Sequence, residues 1–106
     1  MSVPELFARL RAPDERPALR VGDASLSYRA LARACTAHLA RLRDLGVAPG
    51  DRVGVWTHPS LATAVALTAH AAGGLVSVPL NPKLGPRELG HILDDAAPTR
   101  VLTPDP

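Results

Sequence analysis

The chain contains 106 residues, of which 46% are hydrophobic but only 3% are aromatic, so its core must consist mainly of leucine, valine and alanine. A chain of this length forms one small domain or part of a larger one, and it buries about 60 to 70% of the surface that its unfolded state exposes. The net charge of +2 is too small for a nucleic-acid surface, which excludes that class of partner.

The single cysteine and the start of the chain indicate the cellular environment. Cys35 has no second cysteine with which to form an internal disulfide, and no His/Cys spacing resembles a zinc site. The residues from Met1 to Glu5 lack the basic and apolar regions of a signal peptide, and no segment reaches the roughly 18 uninterrupted apolar residues of a membrane span. The sequence therefore predicts a soluble, cytoplasmic protein that holds no metal.

The first elements are predicted to be a short helix and a β-hairpin. Apolar residues at helical spacing, with a proline in the first turn, predict an amphipathic helix from Pro4 to Arg11. Two short strands, Ala18 to Val21 and Ser25 to Leu26, flank Gly22-Asp23, which is a favoured hairpin turn.

The next element is a long amphipathic helix that begins at Tyr28. Ser27 can cap it by accepting a hydrogen bond from a free backbone N–H, and Gly46 supplies the left-handed residue that ends a helix. Apolar residues recur every three or four positions along it: Leu31, Cys35, Leu39, Leu42 and Leu45. Its arginines fall largely on the opposite face and predict a solvent-exposed surface.

The second half of the chain alternates strands with helices. The predicted strands are Arg52 to Thr57, Leu75 to Leu80 and Thr99 to Thr103, and the predicted helices are Pro59 to Ala72 and Pro86 to Ala96. This alternation predicts an α/β fold: an incomplete parallel sheet built from right-handed βαβ crossovers, with an N-terminal hairpin. The helix from Pro59 is apolar nearly all round, so it should pack on more than one side.

Strand pairing is predicted to be unfinished. A parallel strand is normally bonded along both edges and buried on both faces. The last predicted strand is followed directly by Pro104-Asp105-Pro106, so residues 1–106 are expected to be part of a larger domain.

Several segments resemble the acyl-CoA synthetase family of adenylate-forming enzymes. Leu26-Ser27-Tyr28 precedes the amphipathic helix, and Leu45-Gly46-Val47 with Pro49 to Val53 follows it. Val78 to Lys83 and Glu88 to Pro98 look most like malonyl-CoA synthetases. The resemblance covers nearly the whole chain.

The resemblance implies a ligase that works in two steps. ATP and a carboxylic acid give an acyl-adenylate, and coenzyme A then displaces AMP. Such an enzyme needs a Ser/Thr/Gly-rich phosphate loop, magnesium and a lysine from a C-terminal domain. These motifs are absent from this sequence, so residues 1–106 are expected to be a partial N-terminal domain ending before the ATP-binding loop. The resemblance therefore assigns no catalytic or metal-binding residue to this sequence, and the isolated chain is expected to be a scaffold without activity.

Two alternatives of other classes remain. The chain can be a stand-alone interaction module without enzyme activity that pairs its sheet edge with another chain. It can also be a small nucleotide-binding domain, which is disfavoured because no strand-to-helix turn carries a phosphate-binding fingerprint. Gly73-Gly74 lies between a helix and a strand, the opposite order, and is interpreted as a helix terminator.

The histidines and the cysteine are interpreted mainly as structural. His58 follows a strand, where open α/β sheets place ligands, but it has no ligand partner at a suitable spacing and is better explained as a loop residue. His38, His70 and His91 are expected to be packing or surface residues. Cys35 should be buried and therefore unreactive.

Three sets of charged or polar residues follow the strand that ends at Leu80. Lys83 and Arg87 could attract an acidic acyl substrate or a coenzyme A phosphate, although isolated surface charges seldom have such a role. Asn81-Pro82 is explained by turn formation. Asp94-Asp95 point about 100° apart on a helix, so they cannot serve one site together and should be solvated.

Overall fold

The computed structural model describes residues 3–104, and it describes side chains from residue 7 onward. The elements in chain order are α1 (Val3–Arg11), β1 (Pro17–Val21), β2 (Ala24–Ser27), α2 (Tyr28–Asp44), β3 (Arg52–Trp56), α3 (Leu61–Ala72), β4 (Val76–Leu80), α4 (Pro86–Ala96) and β5 (Arg100–Leu102). The predicted order of helices and strands is therefore confirmed. Asp105 and Pro106, at the end of the sequence, lie outside the described residues.

The N-terminal hairpin is confirmed, with Gly22 in the left-handed conformation that its turn requires (φ 60°). β1 and β2 pair antiparallel, and Val21 lies opposite Ala24 next to the turn. α1 packs against α2, where the Arg9 guanidinium lies 5.4 Å from the centre of the Tyr28 ring. The hairpin and α1 thus cover the amino-terminal part of α2.

The capping and burial predicted for α2 are also confirmed. The Ser27 hydroxyl accepts a hydrogen bond from the backbone N–H of Ala30 at 3.1 Å, and Gly46 follows the helix with φ 89°. The side chains of α2 that face the interior are Tyr28, Leu31, Cys35 and Leu42. Leu45 is an exception to the predicted apolar face, since it caps the end of the helix and is 46% exposed.

The predicted start of α3 was wrong by two residues. Ser60, not Pro59, sets the boundary, because its extended backbone and its hydroxyl, which accepts from the N–H of Thr63 at 3.2 Å, make it the N-cap. As predicted, α3 packs on several sides and contacts α2, β1, β3 and β4. Gly73 ends it, donating its N–H to the carbonyl of Ala69 at 2.8 Å.

The last three strands form a parallel sheet in the order β4-β3-β5. β3 is central, and its residues Val53 and Val55 are fully buried. β5 is shorter than predicted and spans only Arg100–Leu102. This α/β arrangement confirms the predicted fold class.

The two faces of the sheet are covered by different helices. Side chains alternate between faces along a strand, so Val53 and Arg52 point in opposite directions. Val53 packs with Leu42 of α2, whereas the Arg52 guanidinium donates to the carbonyl of Ala96 at the end of α4 at 3.0 Å. Thus α2 and α3 cover one face and α4 lies over the other, as right-handed crossovers on either side of β3 require.

α4 is held less tightly than α3. Pro86 lies in its first turn, as predicted, and Ala97 ends it in the left-handed conformation (φ 44°) just before Pro98. No residue of α4 is buried. None of the helices formed by residues 3–104 combines the length and the apolarity needed to cross a lipid bilayer.

Candidate functional site

The carboxyl edge of the parallel sheet is the first place to look for a site. β4 and β5 lie on opposite sides of β3, so the direction of the chain across the sheet reverses between β3 and β5. Open α/β sheets bind ligands outside the carboxyl ends of their strands at such a reversal. The residues at this position are Thr57 and His58 after β3 and Thr103 after β5.

A groove of about 510 Å³ opens beside the carboxyl end of β5, between α2 and α3. Most of its lining side chains are apolar, and the polar ones are His38, Arg41 and Thr103. The full lining consists of Ala34, Ala37, His38, Arg41, Leu42, Leu45, Ala62, Val65, Ala66, Leu102, Thr103 and Pro104. His58 does not line this groove, so the structure does not bring it to the other polar groups.

Two histidines meet beside the groove, and we call them the histidine pair (His38 and His70). Their Nε2 atoms are 3.0 Å apart, and His70 Nδ1 lies 2.8 Å from the Ser77 hydroxyl. His70 is fully buried, while His38 is half-buried at the groove. Hydrogen bonds thus connect α2, α3 and β4 in series.

The pair is electrically neutral near pH 7. Burial lowers the pKa of His70 to about 4, and repulsion from the neighbouring His38 ring, when that ring is protonated, acts in the same direction. Burial, and secondarily Arg41, lowers the pKa of His38 as well. One N–H must lie between the two Nε2 atoms, because two bare lone pairs or two N–H groups at this distance repel.

His38 and His70 were expected to be packing or surface residues, and the hydrogen bond between them was not predicted. The available signal was their position on the inward faces of two helices, three residues after Cys35 and seven after Thr63. Among the described side chains, those of residues 7–104, no three from His, Cys, Asp or Glu come together as a metal site would require. The pair is therefore a buried polar contact between packed elements.

Comparison with known proteins identifies the family. Residues 6–106 match the family model described as "AMP-binding enzyme". The chain belongs to the AMP-binding enzyme family.

Relatives of this chain carry several different names. It is 38% identical over 95 residues to the AMB antimetabolite synthetase AmbB of Pseudomonas aeruginosa, covering 90% of this chain and 8% of that protein. It is 38% identical over 98 residues to a feruloyl-CoA synthase of Amycolatopsis, covering 92% of this chain and 20% of that protein. It is also 36% identical over 89 residues to surfactin synthase subunit 2 of Bacillus subtilis, covering 83% of this chain and 2% of that protein.

Solved structures agree with this assignment. The chain superposes on the N-terminal subdomain of Klebsiella oxytoca NpsA in complex with anthranilyl-AMSN with a TM-score of 0.82 at 27% identity, covering 96% of this chain and 27% of that one. It superposes on VinN in complex with L-aspartate with a TM-score of 0.82 at 29% identity, covering 95% of this chain and 29% of that one. The chain thus spans less than a third of the length of each of these relatives and structures.

The remaining residues that the sequence offered as site candidates do not converge. Lys83 and Arg87 are both exposed, and neither forms an ion pair with a side chain of residues 7–104. Asn81 forms the predicted turn, since its side-chain oxygen accepts the N–H of Lys83 at 2.9 Å. A role of these two cations in binding an acyl or coenzyme A group stays a prediction.

Cys35 is buried, as predicted, at 5% exposure. Burial raises the pKa of its thiol, which leaves little thiolate at neutral pH and makes it a poor nucleophile. Asp94, Asp95 and His91 are exposed, in agreement with their interpretation as surface residues.

Replacing His58 with alanine should change the free energy of unfolding by less than about 0.5 kcal/mol. His58 is half-buried, and no described side chain forms a hydrogen bond with its ring. Chemical denaturation of the wild type and the variant measures the difference. A loss above 1.5 kcal/mol, on the order of a buried hydrogen bond, would contradict the loop interpretation.

Proposed function

We propose that residues 1–106 are the N-terminal scaffold segment of an adenylate-forming ligase domain that activates a carboxylic acid with ATP. The observation that carries this proposal is the family match over residues 6–106. The superposition on an NpsA subdomain that binds an acyl-AMSN compound supports it. In this proposal the segment supplies part of the sheet and no catalytic group, while ATP, Mg²⁺ and the reactive residues belong to the rest of the domain.

Two thiols are candidates for the group that receives the activated acyl group. The feruloyl-CoA synthase relative favours coenzyme A, which makes the protein an acid–CoA ligase. The AmbB and surfactin synthase relatives, and the similarity to NpsA fused to a carrier domain as an adenylation–PCP protein, favour adenylation within a peptide synthetase. The finer assignment to malonyl-CoA synthetases rests only on Val78 to Lys83 and Glu88 to Pro98, so malonate is one acid to test among several.

The first experiment is to sequence the coding locus and its transcript beyond the codon for Pro106. We expect an open frame that continues into a Ser/Thr/Gly-rich phosphate loop, as the proposal requires. A confirmed stop codon would favour the alternative, an interaction module without enzyme activity. Assays of acyl transfer to coenzyme A and to a carrier domain, made on the longer protein, then show which of the two accepts the acyl group.

A second experiment tests the scaffold role directly with a chimera. Residues 1–106 replace the matched segment of VinN, whose structure contains L-aspartate. We expect the chimera to bind L-aspartate in calorimetry and to catalyse ATP–pyrophosphate exchange with it, and we expect the isolated chain to do neither. A folded chimera that does not bind L-aspartate would contradict the proposed function.

A further inference from the structure

The facing sides of α2 and α3 make little apolar contact beside the groove. Most of the side chains there are alanines, which bury less apolar surface than leucine or valine and therefore stabilise a contact less. They are Ala34 and Ala37 on α2 and Ala62 and Ala66 on α3. Because the groove of about 510 Å³ separates the helices here, the hydrogen bond of the histidine pair is a large part of what joins them.

No negative charge near the histidine pair would offset an added proton. Among the side chains of residues 7–104, no carboxylate forms an ion pair with either ring. On α2 the nearest charge is Arg41, a cation that lines the same groove as His38 and lowers its pKa. Burial raises the pKa of the Cys35 thiol on the same helix, so that group is neutral as well.

The other packed elements add no compensating charge. α3 and β4 contain no further titratable side chain. The arginines of the neighbouring elements are engaged elsewhere: Arg9 with the Tyr28 ring, Arg20 with the carbonyl of Gly22, Arg52 with the carbonyl of Ala96 and Arg100 with the carbonyl of Leu45. A proton on the histidine pair therefore adds an uncompensated charge.

Added protons work against the contact between the two rings. A first extra proton can be held in the hydrogen bond between the Nε2 atoms, but it leaves a positive charge on a buried pair beside Arg41. A second extra proton puts an N–H on both facing nitrogens, which repel each other at 3.0 Å. Both costs vanish when α2 moves away from α3 and the rings enter water.

We propose that the histidine pair is a pH-sensitive switch that holds α2 against α3 and β4 near neutral pH and releases α2 in acid while the sheet stays folded. Release opens the groove and exposes the contact that Leu31 and Cys35 make with Ala69. This inference does not rest on the proposed function, because it uses only the described side chains of this chain.

The opening is local because the histidine pair lies outside the sheet's own bonding. β3 is joined to β4 and to β5 by backbone hydrogen bonds, which do not titrate between pH 4 and 7. The bond between His38 and His70 titrates in this range and joins one helix to the next. Segments of a protein can open in this way with a smaller free energy than the whole chain needs to unfold.

The only cysteine of the chain is a natural reporter of this opening. Cys35 is 5% exposed, and its Sγ atom lies 4.0 Å from the carbonyl of Val65 on α3. The test measures the rate at which dithiodipyridine, a disulfide that reacts with thiols in acid as well as at neutral pH, modifies Cys35 in the 106-residue chain. Each rate is divided by that of the chain unfolded in urea at the same pH.

The normalised rate should rise about 20-fold between pH 7 and pH 5. The reason is that His70 has a pKa of about 4 in the closed chain and regains its ordinary value of 6.5 when released, so opening takes up a proton. Up to about 1 M urea the rate at pH 5 should hardly change, because a local opening exposes little surface. Global unfolding would instead accelerate by about 5-fold or more over this range.

Two variants connect the rise to the histidine pair. His70→Gln and His38→Gln should each reduce it to less than about 5-fold, because one titrating ring is gone. If the buried His70 position does not tolerate glutamine, the half-buried His38 carries the comparison. His91→Gln, at an exposed position, is the control for a His-to-Gln substitution as such.

Four results would overturn the inference. They are fast modification already at pH 7, no rise towards pH 5, a rise that urea accelerates as it does global unfolding, and a rise that His38→Gln reduces no more than His91→Gln does. None of these results bears on the proposed adenylation function, which the coding locus and the chimera test separately.

Discussion

Replacing Leu42 with alanine should lower the free energy of unfolding by about 2–5 kcal/mol. Leu42 is only 2% exposed and packs with Val47 and Val53, where α2 meets the sheet. Removing most of its side chain leaves a cavity that the surrounding backbone cannot fill. Chemical denaturation of the variant and the wild type measures the loss.

Leu45 offers a matched control three residues further along the chain. It is also a leucine at the end of α2, but it is 46% exposed, so Leu45→Ala should cost well under half as much. Leu39→Ala, at a half-buried position, should lie between the two. A Leu42→Ala loss below 0.5 kcal/mol, the size of an ordinary surface substitution, would refute the assignment of this residue to the core.

Acidification from pH 6.5 to about 4 should lower the free energy of unfolding by about 3 kcal/mol. In the folded chain burial lowers the pKa of His70 to about 4, whereas the unfolded chain binds this proton near pH 6.5. Between these values only the unfolded state is protonated at this histidine, so the free energy of unfolding decreases as the pH is lowered. Below pH 4 both states are protonated, and the contribution of His70 stops changing. The lowered pKa of His38 acts in the same direction.

Denaturation curves measured at intervals between pH 7 and 4.5 test this dependence. His70→Gln removes the titrating ring, and its stability should depend less steeply on pH, whatever its absolute stability is. His38→Gln should reduce the slope by a smaller amount. The exposed His91, replaced in the same way, is the control for the effect of a His-to-Gln substitution as such. An unaltered slope in His70→Gln would show that another group is responsible.

Local sequence signals predicted most of the elements. Helix caps, left-handed turn residues and prolines in a first helical turn act through nearest neighbours, so they can be recognised without tertiary information. The examples here are Ser27, Gly22, Gly46 and Pro86. The start of α3 was misplaced because Pro59 and Ser60 are adjacent helix-start signals. Only the observed hydrogen bond from the Thr63 N–H to the Ser60 hydroxyl decides between them.

The sequence by itself determined the α/β class, the capping of α2 and the membership of the AMP-binding family, because these depend on local spacing and on matched segments of the chain. Only the tertiary structure decided that β3 lies between β4 and β5, and that His38 and His70, 32 positions apart, share a hydrogen bond. Contacts of this kind depend on how α2 and α3 pack across the sheet. Periodicity assigns residues to a face of an element, but it does not define which residues on the next element they meet.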